Sequence, residues 1–263
     1  MSKYTVHGPS GIPLAIWLSA VAAALLGRTR SASADGDAIW SSLPRSPRIV
    51  DAHHIPAHGP LIVCCNHYNG PGVWVGLPAA LMIRALTLAR SQSDIDTVGV
   101  SAYDNFRLLG IPIPRGLTAF VFARFYRVYQ VIAMPNARAG AAPRAAAVRM
   151  VIGALKRGRV VILFPEGGNV RNFVMRPVSP GVGSLLLLAA RLGATIIPAG
   201  IYRDAGGAYC MTFGVPLHLK KTTPEAVELQ VGSAIAGLLP PALRGPHATA
   251  VHAGHQHCGE SGG

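Results

Sequence analysis

Three short, largely apolar runs decide what this chain can fold into: Leu61 to Cys65, Val160 to Phe164 and Thr195 to Tyr202. Each is too short for an ordinary helix, and none alternates apolar with polar residues as a strand with one wet face would. Consecutive apolar residues in a strand mean that both faces are covered, the condition of a parallel sheet held between helices. The segments between them carry helical periodicity. Val148, Val151, Ile152 and Leu155 share one helical face, with Pro143 where the helix begins and Gly158 where it ends. Leu185 to Leu192 predicts a second helix, closed by Gly193. A last one opens near Thr222 and Pro224, with Glu225 completing a capping box on Thr222, and runs to about Leu239. The expected fold is α/β: a mixed, largely parallel sheet flanked by helices, preceded by an N-terminal apolar helix.

That apolar helix is the run from Ile12 to Leu26, interrupted only by Ser19 and followed by Arg28 and Arg30. Its reach is about 22 Å, short of the ~30 Å hydrocarbon core of a bilayer. A shallow membrane anchor fits this length. A signal peptide, with Ser31-Ala32-Ser33-Ala34 as a cleavage-like stretch, and a helix packed on the domain are the alternatives. The chain then divides into an anchor and linker over 1–44, the α/β domain over 45–240 and a tail over 241–263. The tail is rich in Pro, Gly, Ala and His and carries His247, His252, His255, His257 and Cys258. It reads as a mobile, compositionally biased end, with a metal-binding tract as the alternative.

Charge narrows the partner. Twenty-four basic residues against eleven acidic ones give a net charge of +13, yet only 13% of residues are charged and 50% are apolar. An ordinary soluble domain carries roughly 25% charged residues. Such hydrophobicity excludes a disordered chain. It also argues against a nucleic-acid binder, whose basic stripe sits on a polar surface. Few charges, mostly of one sign, suit a membrane surface with anionic lipid, or an anionic lipid-like ligand. The four cysteines form no disulfide framework, since Cys64 and Cys65 are adjacent inside an apolar run. A reducing compartment, hence the cytoplasmic face of a membrane, is expected.

Three polar breaks could carry chemistry. The first is Asn66-His67-Tyr68-Asn69-Gly70-Pro71-Gly72, which follows the first strand run. A histidine at the C-terminal edge of an open α/β sheet stands where such sheets present catalytic groups. Imidazole is also suited to taking a proton from a hydroxyl near neutral pH. The second is Pro165-Glu166-Gly167-Gly168, where two glycines let backbone N–H groups approach an anion. In the third, Ile111-Pro112-Ile113-Pro114-Arg115, alternate prolines stiffen the segment that ends in Arg115, whose fork of donors suits phosphate.

In order and spacing these blocks resemble those of the glycerolipid acyltransferase superfamily, the lysophosphatidic acid or PlsC-like acyltransferases. Asn66-His67 is followed by Gly110 to Arg115, then Phe164-Pro165-Glu166-Gly167, then Ile197-Pro198-Ala199-Gly200. The resemblance covers about residues 45–240 and implies transfer of a fatty acyl group from acyl-CoA or acyl carrier protein to a hydroxyl of a lysophospholipid or related glycerolipid. By the same analogy His67 is the general base, and Arg115, Glu166 and Gly167 bind the acceptor's glycerol-phosphate part. No resident cofactor or metal is implied; the acyl thioester enters as co-substrate.

The family's first block reads H-x-x-x-x-D, and the aspartate position here is Gly72. Asp94, Asp96 and Asp104 lie between the first and second blocks, and Asp51 precedes the strand. Asp104 is preferred as the carboxylate that orients His67, because its segment leads directly into the second block. The missing aspartate also keeps open a non-catalytic lipid- or acyl-chain-binding protein of the same fold. A thioester hydrolase is a third reading.

Overall fold

The sheet grows outward from β2 (Leu61–Cys65), all five residues of which are buried. β7 (Val160–Leu163) pairs with it in parallel on one side and β8 (Thr195–Arg203) on the other. Past β7, β3 (Thr97–Ser101) and β6 (Ile132–Ala133) continue the parallel pairing. Beyond β8 the chain folds back as antiparallel β9 (Tyr209–Phe213), and β1 (Arg48–Val50) runs parallel to β9 at the edge. The order β1-β9-β8-β2-β7-β3-β6 is the mixed, largely parallel sheet expected from the sequence. A separate hairpin joins β4 (Arg107–Leu108) to β5 (Ile111–Pro112). This computed structural model describes residues 13–74, 76–90, 97–101, 107–108, 111–112, 115–135, 140–167, 172–219 and 223–248.

Successive side chains of a strand point to opposite faces, and each face here has its own helical layer. Leu61, Val63 and Cys65 pack with α3 (Leu77–Arg90) and with Ile39 of α2 (Ala32–Ser42). Ile62 and Cys64 pack with α5 (Ala141–Lys156), α6 (Val182–Arg191) and α7 (Pro224–Gly237). This double coverage is why β2 and β7 are apolar at every position.

Helix ends deviate from the sequence reading where the caps come from elsewhere. α7 is capped by Thr223, whose Oγ1 accepts the Ala226 N–H at 3.3 Å. The cap falls one residue later than expected because Pro224 takes the first helical position, where its missing N–H does no harm. Thr222 lies outside the described residues. α6 opens at Val182, three residues before the expected start. Its N-terminal donors, the Gly181 and Gly183 N–H groups, both reach Glu228 Oε1 on α7, at 2.8 and 3.1 Å.

At the N-terminus, α1 (Leu14–Leu26) has 13 residues, about 20 Å of helix. No helix among the described residues is long and apolar enough to cross a membrane. Ala23 and Ala24 bury against Val128, the last residue of α4 (Arg115–Val128). Arg124 of α4 donates to the carbonyls of Ala24 and Leu25 at 3.0 and 3.1 Å, serving the C-terminus of α1. Below this contact, Asp35 accepts from Arg30 and from the Tyr129 hydroxyl, the latter at 2.8 Å. Burial and Asp35 together push the Tyr129 phenol well above its ordinary value. Ser31 to Ala34, the cleavage-like stretch, form the cap and first turn of α2.

Residues 241–248, assigned to the tail by composition, are packed. They form two 3-10 turns, Pro241–Leu243 and Gly245–His247. The Met175 N–H donates to Leu243 O at 2.9 Å, and His247 is buried so close to Gly232 of α7 that no side chain fits there. The packed unit therefore runs to 248 and not to 240. His252, His255, His257 and Cys258 lie outside the described residues.

Candidate active site

β2 and β7 are hydrogen-bonded neighbours, but the chain leaves them toward opposite faces of the sheet. After β2 it enters α3 on one face; after β7 it enters α6 on the other. Adjacent strands whose connections diverge in this way open a crevice at their C-terminal ends. His67 follows β2 into that crevice and Glu166 follows β7.

Hydrogen bonds join the two loops directly. The His67 backbone N–H donates to Glu166 Oε1 at 2.7 Å, and the Arg176 N–H donates to Glu166 Oε2, also at 2.7 Å. Both carboxylate oxygens thus hold backbone, one on each side of the crevice. Glu166 is only 6% exposed, and burial pushes its carboxyl above the ordinary value, against the pull of these two N–H groups and of the Arg176 charge. The His67 ring meets the Phe164 ring edge-to-face, with centroids 4.9 Å apart at 88°. Phe164 is the last residue before the Pro165-Glu166 turn, so one turn supports both the ring and the backbone of His67.

The rest of the loop is anchored just as closely. Asn66 is buried, and its side-chain amide bridges the backbone of Ile201 on β8, donating to O at 2.9 Å and accepting from N at 2.7 Å. The Phe173 N–H donates to Asn69 O at 2.9 Å, and the Phe173 ring lies 4.7 Å from that of Tyr68. Gly70 has no room for a side chain beneath that ring. Gly167 has a left-handed φ of 62°, and a β-carbon there would collide with Ser179 Oγ, which donates to Glu166 O at 2.9 Å.

The sequence singled out His67, Glu166 and Gly167, and the fold brings these three together. Arg115 is the first residue of α4, beyond the β4–β5 hairpin. Asp104, Asp94 and Asp96 lie outside the described residues. Asp51 follows β1, which stands three strand positions from β2, about 14 Å at the usual strand spacing. It is too far to serve His67. Gly72 sits in an exposed turn with φ 75°. Asn66, Phe173 and Ser179 escaped the sequence reading as site residues. Asn66 did carry a signal, because a polar amide at the end of a fully buried strand needs backbone partners.

The chemistry available at this edge is that of an imidazole beside apolar rings. The neighbouring cysteines do not add a thiolate: burial pushes Cys64 up to about 12, and burial with the Glu166 charge pushes Cys65 well up. The sequence matches the Acyltransferase family over residues 46–202, more than half of the chain, and both loops lie within the match. The chain belongs to the Acyltransferase family. Among solved structures, this acyltransferase is similar to the 1-acyl-sn-glycerophosphate (LPA) acyltransferase PlsC from Thermotoga maritima. The TM-score is 0.50 and the identity 16%, over 84% of this chain and 86% of that one. That likeness is one of fold, and the family match bears out the acyltransferase membership that the four blocks suggest. No curated protein matches the acyltransferase chain.

Proposed function

We propose that this acyltransferase moves a fatty acyl group from acyl-CoA or an acyl carrier protein to a hydroxyl of a lysophospholipid or related glycerolipid, with His67 as general base. The observation that carries the reading is the joining of His67 and Glu166 across the crevice between β2 and β7. The imidazole removes the acceptor hydroxyl proton as that oxygen attacks the thioester carbonyl. The tetrahedral intermediate collapses to the ester, and the departing thiolate takes the proton back from the imidazolium. No acyl-enzyme forms. Glu166 acts from behind, fixing the backbone of His67, and Arg115 supplies the donor fork for the acceptor phosphate. The enzyme works at the cytoplasmic face of a membrane with anionic lipid. Exposed Leu18, Leu25 and Leu26 of α1 and Phe120 of α4 support that placement.

The test is thiol release from acyl-CoA with and without lysophosphatidic acid. Release that requires the acceptor is expected, and His67→Ala should lower it by about 10²–10⁴-fold with the fold intact. Release without acceptor would assign a hydrolase. Gly72, which leaves the family's aspartate position without a carboxylate, favours the second reading of a non-catalytic lipid-binding protein. Saturable lipid binding without any thiol release, equal in His67→Ala, would establish that reading and end the enzymatic one.

A further inference from the structure

Away from the crevice, a groove of about 800 Å³ lies between the C-terminal end of α4 and one face of α5. Its floor is apolar, with Ile132, Ala154 and Met150, the last 56% exposed. Arg127, Arg149, Arg157 and Arg159 line it, and no acidic residue does. Among the described residues no carboxylate pairs with Arg127, Arg149 or Arg157. Arg159 donates to Gln130 Oε1 at 3.2 Å, which holds its guanidinium at the groove's edge. Arg159 enters β7 and Glu166 leaves it, so the groove and the candidate active site lie at opposite ends of that strand.

We propose that this groove is a second lipid site, holding the phosphate headgroup of an anionic bilayer phospholipid. Four guanidinium groups around an apolar floor match a ligand with a negative head and an apolar body. Thr29 at the groove's rim is three residues from Leu26, and Leu25 and Leu26 are 72% and 66% exposed, so the groove opens beside an apolar surface that can meet the bilayer. The site does not depend on acyl transfer, and its test reads binding without turnover.

The full chain is sedimented with phosphatidylcholine vesicles that contain or lack phosphatidic acid. Tighter binding to the anionic vesicles is expected, and the Arg149→Gln/Arg157→Gln double variant should weaken it about 10- to 30-fold. Arg144→Gln/Arg191→Gln removes the same charge outside the groove and should lower it no more than about 3-fold, as loss of general attraction. Equal losses in the two double variants would overturn the site. A second arm follows the Met150 methyl signal by NMR. Short-chain phosphatidic acid should shift it at concentrations where glycerol phosphate does not. Equal response to both would mark a free-phosphate site and refute the lipid occupant. Loss of binding to an acidic carrier protein in Arg149→Gln/Arg157→Gln, with vesicle binding unchanged, would assign the groove to a protein and refute it as well.

Discussion

Replacing Glu166 with glutamine separates a group that positions the catalytic loop from one that binds the acceptor. The carboxylate accepts two backbone N–H groups at 2.7 Å, from His67 and Arg176. Glutamine keeps one acceptor oxygen and turns an amide NH₂ toward the other donor. A hydrogen bond to a charged group contributes about 1.5–3 kcal/mol, and a buried donor left unmet costs about 1–3 kcal/mol. These overlap, so the loop junction weakens by about 2 kcal/mol, the middle of both ranges. If that loss is felt by His67 in the transition state, turnover falls roughly 30-fold. Thiol release gives kcat and the acceptor KM, while hydrogen exchange reads the His67 and Arg176 amides. The expected outcome for Glu166→Gln is a lower kcat, a nearly unchanged acceptor KM and faster exchange at both amides. Glu166→Asp, too short to span both donors, should fall between. A raised acceptor KM with kcat and exchange unaltered would refute the positioning role and make Glu166 an acceptor ligand.

Other measurements probe the scaffold. Asn66→Ala strands the buried N–H and C=O of Ile201 and should lower unfolding stability by about 2–4 kcal/mol in a urea titration; an unchanged midpoint would show that the bridge is dispensable. Glu228→Ala removes the acceptor at the start of α6 and should cost about 1 kcal/mol of stability while leaving kcat alone, since α6 starts well after the catalytic turn. Alkaline pH should destabilise the fold. Burial raises the pKa of Cys64, Cys65, Tyr68, Tyr129 and Tyr209, so the native state holds protons that the unfolded chain releases above pH 9 to 10. Their contribution is complete below those unfolded values and is lost as pH rises through the folded ones. Cys64 alone, shifted from 9.0 to about 12, accounts for about 4 kcal/mol of this loss by pH 12. A melting temperature that stays constant from pH 8 to pH 11 would contradict that burial.

Much of the fold was legible because double-sided burial leaves a plain mark. β2, β7 and β8 read as apolar at nearly every position, and the helices between them show their buried faces at helical spacing. Helix ends were less legible where a partner from another element did the capping. Glu228 is 47 residues from Gly181, and no local pattern links the two. The tail boundary failed for a related reason: His247 looked like part of a biased, solvated end until the packing against Gly232 placed it inside.

At the candidate site the residue types are legible along the chain: a histidine and a glutamate, each just past a buried strand, and a Gly167 whose φ of 62° suits the tight turn. The family is legible too, since the order of the blocks survives translation into residue types. No local pattern shows that Glu166 turns its carboxylate onto the backbone of His67, or that Asn66 grips Ile201 across 135 residues; those contacts emerge from the folded chain. Burial and periodicity are local properties that a strand or helix writes into its own residues, whereas a hydrogen bond between loops depends on which strands become neighbours. That neighbourhood is settled by how the whole sheet packs between its two helical layers.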